Sequence, residues 1–111
     1  MFMNAELLNN TNWVDNNNVY YQFYGMYKDG DDITGIIRKS DKIPLDSHLD
    51  SAISDEFHFT IIPVKDAYQI LSHLFTDPYE LFDMTISNSQ IVISSENSTP
   101  LILNRISESN I

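Results

Sequence analysis

The chain has 111 residues, and its sixteen Asp and Glu against six Lys and Arg give a formal net charge of −10. A field of that sign repels a phosphate backbone, which excludes direct nucleic-acid binding, and steers the molecule toward cationic surfaces. There is no cysteine, so disulfide scaffolding, Cys-based zinc sites and thiol catalysis are excluded by inventory.

A hydrophobic content of 42% with six Tyr, six Phe and one Trp is too rich for a disordered acidic tail and enough for one packed core. A single domain over residues 1–111 is expected. The first ten residues have neither a basic start nor a small-residue cleavage site, and no window approaches the roughly 18 apolar residues of a membrane span. A cytoplasmic protein without membrane contact is the expectation.

In chain order, residues 1–10 read as a short helix capped by Asn4, with Leu7 and Leu8 as its apolar contacts. The β-prone run Val19–Tyr27 and a second strand at Ile33–Lys39 flank the turn Asp29-Gly30-Asp31-Asp32 and predict a hairpin. Residues 46–56 read as a helix capped by Ser47, with Leu49, Ala52 and Ile53 on one face. Phe57, Phe59 and Ile61 alternate with His58 and Thr60, the period of a half-buried strand.

After Pro63, Val64, Ala67, Tyr68, Leu71, Leu74 and Phe75 fall at helical spacing and predict the main helix. Met84 and Ile86, a turn at Asn88-Ser89, then Ile91 and Ile93 predict a second hairpin. A last strand over Leu101–Asn104 precedes a tail, residues 107–111, expected to fray. Together these elements predict an α+β domain, a mostly antiparallel sheet of five or six strands with two or three helices on one face.

Catalytic patterns are absent. His48, His58 and His73 lie ten and fifteen residues apart, outside zinc-ligand spacings, and the acidic turn at residues 29–32 lacks the ordered positions of a calcium loop. Gly25, Gly30 and Gly35 do not form a phosphate-cradling loop, and no serine sits in a nucleophile elbow. The paired carboxylates fall in predicted turns and helix ends, where solvated side chains are the ordinary case. Arg38, Lys39 and Lys42 read as local ion-pair partners of Asp41 and its neighbours. A non-enzyme without metal or cofactor is expected.

Two acidic stretches remain, Asp46, Asp50, Asp55 and Glu56, then Asp77, Glu80 and Asp83, neither containing a Lys or Arg. Tyr20, Tyr24 and Met26 share one face of the first hairpin, either as core or as aromatics of the kind that anchor interfaces. A small, cysteine-free, strongly acidic domain without a catalytic signature resembles the immunity proteins of bacterial contact-dependent inhibition and polymorphic-toxin systems. These share size and charge but no common motif.

The resemblance implies a cytoplasmic inhibitor, monomeric or weakly dimeric, covering the active site or substrate groove of a basic toxin, often a nuclease. Asp50, Asp55, Glu56, Asp77, Glu80 and Asp83 are the candidate acidic contacts, with Tyr20, Tyr24 and Trp13 as candidate aromatic anchors. A nucleic-acid mimic that inhibits a DNA-processing complex and a non-catalytic adaptor or structural domain are the competing expectations.

Overall fold

A computed structural model describes residues 5–41, 55–75, 80–96 and 99–106. Eight strands run β1 Thr11–Val14, β2 Tyr20–Asp29, β3 Asp32–Ser40, β4 Asp55–Val64, β5 Ala67–Ser72, β6 Phe82–Ile86, β7 Gln90–Ser94 and β8 Leu101–Arg105. Each pairs antiparallel with the next, and β8 returns to β1 through Trp13↔Arg105 and Val14↔Asn104, closing an up-and-down barrel. This overturns the α+β expectation. Among the described residues the single helical element is one 3-10 turn, Ala5–Leu8.

The main predicted helix is instead the β4–β5 hairpin. Lys65 takes a left-handed φ of 56° in a two-residue turn with Asp66, and Val64 pairs with Ala67, Pro63 with Tyr68 and Ile61 with Ile70. Val64, Ala67, Tyr68 and Leu71 do have helical spacing, but that face omits Ile70, which is fully buried. Alternation decides: Tyr68, Ile70 and Ser72 point inward, while Ala67, Gln69 and Leu71 point outward. Pro63 lies two residues beyond Ile61, the last β4 residue paired with β3, so its missing N–H breaks no ladder bond.

Of the predicted helix over residues 46–56, Asp55 and Glu56 open β4, and the remainder lies outside the described residues, as do Asn4 and the tail 107–111. The two predicted hairpins and the last strand are present as β2–β3, β6–β7 and β8. Strands β1 and β5 went unread in the sequence.

Period-two alternation fills the interior. Trp13, Phe23, Ile37, Phe59, Ile61, Ile70, Phe82, Met84, Ile86, Ile91, Ile93 and Leu103 are all buried and form the core of the barrel. Two glycines shape it. Gly25, at φ 62°, forms a bulge between Tyr24 and Tyr27 in β2. A Cβ at Gly35 would lie 2.8 Å from Met26 Cγ and 2.9 Å from the Phe59 ring, so only glycine lets that ring sit against β3.

The barrel has two unlike ends. At the turn end, short links at Gly30-Asp31, Lys65-Asp66 and residues 87–89 join the strands, and the 3-10 turn seals the mouth with Ala5 and Leu8, both fully buried. At the loop end lie the described link residues 15–19, 41, 73–75, 80–81, 95–96 and 99–100. Phe75 closes part of that mouth by packing on Phe82, with ring centroids 4.5 Å apart.

Candidate functional site

Outside its buried core, the barrel offers its outer wall and its two mouths as surfaces for recognition. Register brings Tyr24, Arg38 and Glu56 onto neighbouring positions of the outer wall of β2, β3 and β4. The Arg38 guanidinium lies 4.0 Å above the centre of the Tyr24 ring, and its Nε donates to Glu56 Oε2 at 2.9 Å. Tyr24 donates its phenol hydrogen to the same carboxylate oxygen.

Hydrogen bonds from Tyr24 and Arg38 hold the Glu56 carboxyl below its ordinary range, while partial burial and the bond to Glu56 push the Tyr24 phenol up. An ion pair this exposed adds little to stability, yet it fixes three side chains in one orientation. Arg38 was read as a partner of Asp41 and its neighbours, whereas the cross-strand register gives it to Glu56.

A second cluster organises the β1–β2 link. Asp15 is buried, its Oδ1 accepts the backbone N–H groups of Asn17 at 2.8 Å and Val19 at 3.0 Å, and its Oδ2 accepts the Tyr21 hydroxyl at 2.9 Å. Burial first, and then Asp15, raise the Tyr21 phenol well above the usual tyrosine value. Every donor here is local or on the adjoining strand, so the cluster serves as a turn clasp rather than a reaction centre.

Trp13 is fully buried and donates Nε1–H to Thr11 Oγ1 at 2.7 Å, which removes it as a surface anchor. Tyr20 and Tyr24 are half-buried on the outer wall, Asp55 and Glu56 are exposed at the start of β4, Glu80 is half-buried before β6, and Asp83 is exposed on β6. Asp50 and Asp77 lie outside the described residues.

The structure brings Tyr24 and Glu56 together but does not merge the acidic candidates into one wall. Asp83 pairs with Gln69 and Gln69 with Ile62, so Asp83 is level with Ile62, six residues and about 20 Å along β4 from Glu56.

The described residues of the loop-end links carry four carboxylates, Asp15, Asp41, Glu80 and Glu96, and no Lys or Arg. The three turn-end links carry Asp31 and Asp66 against Lys65. An antiparallel meander sends alternate links to opposite ends.

Between β3 and β4 at the loop end lies an open cleft of about 310 Å³, lined by Val19, Lys39, Ser40, Asp41 and Asp55. Sequence reasoning missed its Val19 and Ser40, because nothing local marks them. The signal was the β2–β3 turn, whose register sets Lys39 beside Tyr21 and, across β4, Asp55.

Among the described residues no three His, Cys, Asp or Glu side chains converge to hold a metal, and His58 and His73 are exposed far apart along the chain. Nor is any helix there long and apolar enough to cross a membrane. Strands β1 and β5 to β8 have four to six residues, against the 9–11 of a membrane-crossing strand, and outward positions include Gln69, Asp83, Gln90 and Asn104.

No family model matches the chain, and the searches of curated proteins and of solved structures found no similar protein.

Proposed function

We propose that the chain is a non-catalytic binding domain that neutralises a basic partner protein in the cytoplasm, as an immunity protein neutralises a toxin domain, and that the partner is a nuclease. The observation that carries this reading is the charge, −10 on 111 residues. A nuclease must present a cationic groove to its phosphate substrate, and carboxylates held at a barrel mouth can occupy the positions that phosphates would take.

Long-range attraction then sets the association rate, and a few desolvated contacts set the dissociation rate. The test is capture of the partner from the native host, followed by association kinetics from low to high salt. The expected result is a basic partner whose association slows by about tenfold or more between low and physiological salt. A partner that is itself acidic, or an association rate indifferent to salt, would return the domain to an adaptor role.

A further inference from the structure

We infer that the loop-end cleft between β3 and β4 is the receptor for a single basic side chain, arginine or lysine, projecting from the partner protein; this rests on the neutralising role proposed above. A cleft of about 310 Å³ is at the lower limit for a small-molecule site and fits one long side chain. Its lining has the two components such a side chain needs. Val19, half-buried and packed on the core, offers an apolar surface for an aliphatic stem, and Asp41 and Asp55 offer exposed carboxylates for a cationic head.

Charge complementarity selects this occupant. Register sets Lys39 opposite Asp55, yet among the described residues no ion pair joins Lys39 to Asp55 or Asp41, so neither carboxylate is already neutralised there. With two carboxylates and one ammonium, the cleft keeps a net negative charge. A groove of about 330 Å³ at the opposite end is lined by Asn9, Met26, Tyr27, Lys28 and Ile33, with one cation and no carboxylate, and has the wrong sign for a basic anchor.

The experiment uses the full chain and an unstructured peptide of alternating arginine and serine as probe, with affinity from calorimetry at low salt and location from amide chemical shifts. Asp41→Asn with Asp55→Asn should weaken binding by about tenfold, while Asp31→Asn with Asp66→Asn, which removes the same charge at the turn end, should weaken it by less than about twofold. Lys39→Met, which removes the repelling cation, should tighten binding by about threefold.

Circular dichroism on each variant establishes that it is folded. Shifts confined to Val19, Ser40, Asp41 and Asp55 support the cleft. Equal losses from the two aspartate pairs, or shifts spread over the whole surface, would overturn the cleft and leave the neutralising role standing. A wild-type chain that does not bind the probe at all would likewise overturn the cleft, while the neutralising role is decided by the partner capture described above.

Discussion

Tyr21 shows how one residue couples burial to pH. Its hydroxyl donates to the buried Asp15 carboxylate at 2.9 Å, and its phenol is held above the ordinary tyrosine value by burial and by that neighbour. Below about pH 10 the phenol is neutral in both the folded and unfolded chains, so the stability linked to it is fully present there. Above that pH the unfolded chain ionises while the folded one resists, and the stability is lost as pH rises toward the folded value. Urea midpoints measured from pH 7 to 11.5 should therefore fall at the alkaline end in the wild type. Tyr21→Phe should start about 1–3 kcal/mol lower, because Asp15 loses a donor, and should then decline less. An identical alkaline decline in both proteins would place the titrating group elsewhere.

At the scale of an element, the segment Pro63–Phe75 shows how a helical pattern becomes a hairpin. Val64, Ala67, Tyr68 and Leu71 satisfy a period of 3.6, but Tyr68, Ile70 and Ser72 satisfy a period of two, and β4 is already present as a template for the second. Ile61 opposite Ile70 then buries two side chains completely, which a solvent-facing Ile70 on a helix would forgo. Ile70→Ala should cost about 2–5 kcal/mol through the cavity it leaves in the barrel. Leu71→Ala, on the outer wall opposite Thr60, should cost clearly less. Denaturation midpoints read the difference. A larger loss at Leu71 than at Ile70 would restore the helical phase.

For the whole molecule, closure makes one cooperative unit of strands distant in sequence. Trp13 in β1 pairs with Arg105 in β8, so the first strand is not held on both sides until the last is in place. Such non-local pairing gives a slow-folding topology with one core. Far-ultraviolet circular dichroism should show a β-type spectrum without the double minimum of a helical protein. Trp13 is the single tryptophan and is fully buried, so its emission should be blue-shifted in the native state and should red-shift in one transition that coincides with the circular dichroism. Two separated transitions would mean that closure and core formation are distinct events.

Much of this was legible without the structure, wherever the signal is local. The β2–β3 hairpin follows from a β-prone run and a Gly-containing turn, the β6–β7 hairpin from alternation around Asn88-Ser89, and β4 from Phe59 and Ile61 facing one side. Composition alone determined the acidity and the absence of thiol chemistry. Only the tertiary structure decided that residues 67–72 are a strand, that Trp13 is core, that Arg38 belongs to Glu56, and that Asp83 stands six residues from the level of Glu56. The physical reason is common to all four. A strand's free energy lies in its partner, and register across a barrel joins residues that no window of the chain contains.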